Sequence, residues 1–206
     1  DQELDANPDS SKVDRVQAAD HVARSHDDRV DQVRVTYSQK KRHIAVIDRD
    51  GWIHEEPQQY LSFNVLVIGR ENGRRERGYG RLAGYQGEEI FNETSARELA
   101  GEAAEQAMTA LEAEPVEAGP STVVIGPGFG GTIFHEACGH GFEADHVFEE
   151  VSRYSGRMGE QVASESVTFV DDATLENHYG AYRYDDEGTP AQRNVLIKDG
   201  VMQSVM

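Results

Sequence analysis

The stretch Leu61-Ser62-Phe63-Asn64-Val65-Leu66-Val67-Ile68 constrains the fold more than any other part of the chain. Aromatic and β-branched side chains recur at every second position, the pattern of a strand with one buried face. Glu71-Asn72-Gly73 then supplies a tight turn, and Arg74–Tyr85 reads as the return strand of an antiparallel hairpin. Upstream, Val33, Val35 and Tyr37, then Ile44 and Val46, repeat with the same period, and Asp50-Gly51 marks another turn. Gly78, Gly80 and Gly84 predict bulges or close backbone approach on the return strand.

Helical spacing flanks this sheet. Val13, Val16, Ala19, Val22 and Ala23 predict a helix over about Ser10–Asp28, with Asp9, Ser10 and Ser11 as N-cap candidates. A second helix is expected over Thr94–Glu112, where Ser95 and Glu98 have capping-box spacing. Glu114–Pro120 holds two prolines and a glycine and reads as a boundary. Beyond it, Ser121–Ile125 predicts a short strand, Gly126–Gly131 a loop, and Thr132 the start of a helix. Further strands are expected at Ser166–Val170, Ala181–Tyr184 and Val195–Lys198, the last opening a hairpin at Asp199-Gly200. The expected class is α+β. Residues 1–115 would form a helix–antiparallel sheet–helix domain, and residues 116–206 the start of a mostly β domain carrying one functional helix. Both ends read as cut: the chain opens on Asp1, and its last strand is only beginning to pair at Met206.

The formal charge of −18 excludes nucleic acid as an expected partner, since phosphate binding needs a basic surface. It disfavours an anionic membrane surface for the same reason. Only Lys12, Lys40, Lys41 and Lys198 are lysines; an acidic, lysine-poor surface is what a salt-rich cytoplasm would favour. Cys138 is the single cysteine, so no disulfide can form within the chain. No apolar run reaches bilayer-spanning length and no signal peptide is evident, so the expected location is the cytoplasm.

The chemistry concentrates in His135-Glu136-x-x-x-His140. Two imidazoles and a carboxylate are the groups a catalytic zinc uses: neutral nitrogen ligands, and a base to take a proton from water. The familiar arrangement places the histidines four apart on one helical face. Here they are five apart, which on a regular helix separates them by roughly 140°. The spacing therefore predicts a widened turn of π type at 135–140, with Gly139 and Gly141 supplying backbone freedom. His146, Glu143, Asp145 and Glu165 are the local candidates for a third ligand, and none has compelling spacing. Cys138 is expected to be a small buried side chain rather than a ligand. The Gly126–Gly131 loop contains G-x-G-x-x-G, but with a proline inside and no acidic ribose partner downstream, so it reads as a loop lying against a substrate or the metal helix. His21, His26, His43, His54 and His178 have no metal spacing and are expected at the surface.

Longer segments resemble a known family. They are Phe134-His135-Glu136-Ala137-x-Gly139-His140-Gly141-x-Glu143-x-Asp145, Tyr154-Ser155-Gly156-x-x-Gly159-Glu160-x-Val162-Ala163-Ser164-Glu165 and Val170-Asp171-Asp172. Asp185-Asp186-Glu187-Gly188-Thr189-Pro190, Asn194-Val195-Leu196-Ile197-x-x-Gly200 and, upstream, Arg74-x-Glu76-Arg77-Gly78 extend the likeness. Together they resemble the TldD half of the TldD/PmbA (TldE) peptidases, most densely over 121–206. The resemblance implies a zinc-dependent peptidase in which His135 and His140 bind the metal and Glu136 is the general base. It implies a third ligand from a cysteine beyond Met206, peptide substrates that are small, unfolded or modified, and a hetero-oligomer with a PmbA/TldE-type paralog. Ala144, where the family often has glycine, and the acidic stretch His146–Arg153 depart from the pattern. A non-catalytic binding or assembly subunit and a metal-dependent amidohydrolase on a non-peptide substrate are the rival readings.

Overall fold

The computed structural model describes residues 9–47, 49–92 and 94–206; the first eight residues of the expected 1–115 domain lie outside it. The described residues up to Val116, together with Leu175–Thr189, form one unit, and Glu117–Thr174 with Pro190–Met206 form a second. The mixture of helices and antiparallel sheets is the α+β class expected.

In the first unit, α1 (Asp9–Arg24) precedes three antiparallel strands, β1 (Val30–Ile47), β2 (Ile53–Glu71) and β3 (Arg74–Gly84), in the order β1-β2-β3. A 3-10 turn (Glu88–Asn92) and α2 (Ala96–Glu112) come next. Asn72 and Gly73 both have positive φ, 48° and 83°, the paired left-handed geometry of a tight hairpin turn. The capping box forms as expected: Glu98 N–H donates to Ser95 Oγ at 3.2 Å, and Ser95 N–H to Glu98 Oε2 at 2.8 Å.

β2 buries opposite faces in its two halves. Leu61, Phe63, Val65 and Val67 are fully buried and meet α1 and α2 through Ala19, Ala23, Leu99, Ala103 and Met108. The earlier half buries Glu56 and Gln58 instead, on the other face. β3 stops opposite Leu61, so β1 and β2 run on beyond it as a two-stranded ribbon. Leu175–Thr189 packs on this ribbon. Glu56 accepts from Arg183 N–H at 3.1 Å and from Tyr85 Oη at 2.7 Å, while Tyr179 and Tyr184 lie against Tyr60 and His54. Burial pushes the Glu56 carboxyl up, but the hydrogen bonds from Tyr85, Arg183, Gln58 and Tyr184 outweigh it and hold the group below the usual range. Ala181–Tyr184, expected as a strand, forms none here: the Arg183 and Tyr184 N–H groups serve Glu56, and the Ala181 N–H turns back to the His178 carbonyl.

Two glycines on β3 show close approach rather than bulging. A Cβ at Gly78 would sit 1.8 Å from the Ala103 carbonyl oxygen, and one at Gly80 would sit 2.8 Å from Leu99 Cγ. The alanines of α2 and these glycines let helix and sheet backbones come together.

After α2, residues 113–127 take no regular structure, and the second unit begins within them, at Glu117. The expected strand Ser121–Ile125 does not form: Val124 is 92% exposed and nothing pairs with it among the described residues. A 3-10 turn (Gly128–Gly130) leads into α3 (Gly131–Ala137), a second 3-10 turn (Gly139–Phe142) and α4 (Ala144–Phe148). β4 (Phe169–Asp172), β5 (Arg193–Lys198) and β6 (Val201–Met202) make an antiparallel sheet in that order. Asp199 and Gly200, with φ of 50° and 81°, form the expected β5–β6 turn. Phe142, Leu196, Ile197 and Met202 are its buried core. No helix among the described residues is long and apolar enough to cross a membrane.

Candidate metal centre

The histidines meet because the helix stops between them. α3 ends at Ala137, where the Cys138 N–H donates to the Phe134 carbonyl, an ordinary α-helical bond. Cys138 then takes φ −141°, and the chain continues as a tighter 3-10 turn in which Gly141 N–H bonds to the Cys138 carbonyl. The widened turn expected from the five-residue spacing is therefore absent. A break and then a tightening replace it, and the reset at Cys138 removes the divergence a continuous helix would impose. The ring centroids of His135 and His140 stand 4.5 Å apart at 70°. One ligand atom from each of His135, Glu136 and His140 lies within 4.8 Å of the others, and Glu136 Oε2 is 3.8 Å from His140 Nε2. All three side chains are exposed.

Phe142 holds this turn in place. It is fully buried, stacks on Tyr154 at 4.2 Å and meets Phe169 edge-on at 6.2 Å. Gly141 lies under the Tyr154 ring, where a Cβ would come within 2.8 Å, and its carbonyl accepts from Ser152 Oγ at 2.6 Å. Neither Gly139 nor Gly141 has positive φ; Gly141 is needed for space, not for backbone freedom. Met206 N–H donates to the Phe142 carbonyl at 2.9 Å and Ala144 N–H to the Met206 carbonyl at 2.8 Å, so residues on both sides of Glu143 are pinned.

Around the cluster, Glu143 Oε1 lies 2.7 Å from His140 Nδ1, and His146 Nδ1 lies 3.1 Å from the His140 carbonyl oxygen. That carbonyl and the nearby Asp145 raise the pKa of His146. The Cys138 thiol donates to the Phe134 carbonyl at 3.0 Å, and burial pushes its pKa up. Both effects favour the protonated thiol over a metal-binding thiolate. Glu143, Asp145 and His146 form a second group within 4.8 Å, which touches the first through Glu143 and His140. Glu165 is exposed, and neither group includes it. The Gly128–Gly130 turn runs directly into α3, with Gly130 at its N-cap position and no side-chain cap. His54 is half-buried against Tyr184 rather than at the surface. Sequence reasoning missed the pairing of Glu143 with His140, although their three-residue spacing was a signal available for it.

Sequence models of two domains match the chain: the PmbA/TldA metallopeptidase central domain over residues 2–111 and the C-terminal domain over 118–206. The chain belongs to the TldD/PmbA family. A metalloprotease TldD homolog of Haemophilus influenzae is 38% identical over 200 residues, covering 95% of this chain and 42% of that protein. The chain thus spans about two fifths of the length of the curated relatives it matches. A Bacteroides thetaiotaomicron structure, described as a candidate modulator of DNA gyrase, superposes with a TM-score of 0.85 at 19% identity, over all of this chain and 46% of that one. TldE from Thermococcus kodakarensis does so at 0.70 and 19%, over 94% and 43%. At these identities the structures speak for the TldD/PmbA fold alone. The metal implied by a metallopeptidase family fits the donors present, two imidazoles and a carboxylate gathered on one short break in the chain.

Proposed function

We propose that this chain carries the histidine–glutamate part of a zinc-dependent peptidase site of TldD type, with His135 and His140 as metal ligands and Glu136 as general base. The observation supporting it most is the convergence of these three side chains within 4.8 Å despite a spacing that a regular helix would splay. A zinc ion held there would supply Lewis acidity, polarising the scissile carbonyl and acidifying a water molecule towards a pKa of about 7. The imidazoles offer neutral nitrogen donors. Glu136, exposed beside His140, takes the proton from the attacking water and returns it to the leaving amine, the role its position one residue after His135 suits. A third ligand, on the family resemblance, is a cysteine outside residues 1–206. The substrates are small, unfolded or modified peptides, the partner is a PmbA/TldE-type paralog, and the setting is cytoplasmic.

Substituting Glu136→Gln in the full-length protein, assayed together with its paralog, tests the assignment. Zinc content should persist while peptide hydrolysis falls at least about 100-fold, the range general-base removal produces. Undiminished hydrolysis would remove Glu136 from the mechanism.

A further inference from the structure

We propose that Glu143 is a positioning residue that fixes the tautomer and ring orientation of His140 so that Nε2 is presented to the metal; this rests on the reading of His140 as a ligand. The carboxylate oxygen Oε1 lies 2.7 Å from His140 Nδ1. An ionised carboxylate can only accept, so Nδ1 carries the hydrogen, and in the neutral ring that a metal ligand must be, the Nε2 lone pair is left free. The free nitrogen is the one nearer Glu136, whose Oε2 stands 3.8 Å away. Each ring nitrogen therefore has its own task.

The carboxylate is well placed to impose this choice. Glu143 sits between the 3-10 turn and α4, and its own N–H bonds to the His140 carbonyl. The neighbouring residues Phe142 and Ala144 are tied on either side to the backbone of Met206. Its second oxygen, Oε2, lies 3.5 Å from His146 Nδ1, but that nitrogen has the closer His140 carbonyl at 3.1 Å. His140 is thus the principal partner of Glu143. Glu143 also belongs to the Glu143–Asp145–His146 group, and its engagement with Nδ1 argues for orienting a ligand rather than acting as one. Carboxylates that accept from the far nitrogen of a metal-bound histidine commonly contribute about 10–100-fold to metal affinity.

The test uses the full-length protein with zinc alone as the probe. Competition against a chelator should show a loss of about 10–100-fold for Glu143→Ala. Glu143→Gln, whose amide oxygen still accepts, should lose less. Long-range proton–nitrogen NMR of the metal-free protein at about pH 8, above the ordinary histidine range, should find His140 in the Nδ1–H form. Glu143→Ala should release it towards the Nε2–H form that a free imidazole prefers. Zinc affinity of Glu143→Ala within about twofold of the parent, well short of that range, would overturn the proposal, provided that His140→Ala weakens binding. So would a parent His140 already in the Nε2–H form, a measurement that stands even if the alanine variant fails to fold. Unchanged affinity in His140→Ala would instead bring down the ligand reading on which the proposal rests.

Discussion

The two units of this chain hold themselves together in opposite ways. In the first, a repeating pattern does the work: four alternate residues of β2 are buried against small residues spaced along α1 and α2. In the second, the site rests on single anchors, with Phe142 in the core, Gly141 under Tyr154, and the Met206 backbone beside Glu143. A repeating core spreads the loss of one member over its neighbours. An anchored turn does not, and here the anchor lies two residues from a proposed metal ligand.

A matched pair of truncations breaks the comparison most sharply. Phe63→Ala and Phe142→Ala each remove a fully buried aromatic side chain, at about 3–5 kcal/mol apiece. Hydrogen exchange should show each loss in its own unit. The effects on function should differ: Phe142→Ala also frees the turn bearing His140 and weakens zinc binding, whereas Phe63→Ala leaves zinc affinity unchanged. Equal effects on zinc would mean that the first unit supports the site directly.

Gly78→Ala is expected next in size. The added Cβ would meet the Ala103 carbonyl, which belongs to a helix backbone and cannot swing aside. Forced separation of helix and sheet costs about 1–3 kcal/mol, measurable as a lower urea midpoint with α2 protection lost first. An unchanged midpoint would show that α2 can slide to relieve the contact.

These differences also explain what the sequence revealed. The β2–β3 hairpin, the capping box and the Asp199-Gly200 turn were legible because each obeys a local rule. The first half of β2 was not, because its buried face presents Glu56 and Gln58, which the apolar alternation cannot signal. Ser121–Ile125 reads as a strand but has no ladder partner among the described residues, and a strand needs one. At the site, the residue types pointed towards a metal, while the backbone solution, a break at Cys138 instead of a wider turn, goes with the burial of Phe142 just after it.

Glu56 gives a pH-dependent prediction for the ribbon where the pattern is polar. Its carboxyl is held below the ordinary range in the folded chain, so its contribution is present above the unfolded value of about 4.3 and is lost as pH falls through the folded value. Glu56→Gln keeps the shape but weakens the bonds to Arg183 and Tyr85, at about 1–3 kcal/mol near neutrality. Below the folded value, parent and variant should converge in stability. A gap that stays constant from about pH 7 down to about 3 would assign the effect to packing rather than charge.

The smallest effect separates the two units at the level of single helices. α2 begins with a reciprocal cap between Ser95 and Glu98, whereas α3 begins at Gly130 with no side-chain cap. Ser95→Ala should therefore cost about 1 kcal/mol, seen as faster hydrogen exchange confined to the first turn of α2, because the rest of that helix is held by its buried alanines and leucines. α3 buries no residue at all. Its position depends on the 3-10 turn at its C-terminal end, so a cap engineered at its start should change its exchange far less than restoring or removing Phe142 does. If α3 instead gained protection comparable to what α2 loses, the anchor at Phe142 would not be the element that fixes His135 beside His140.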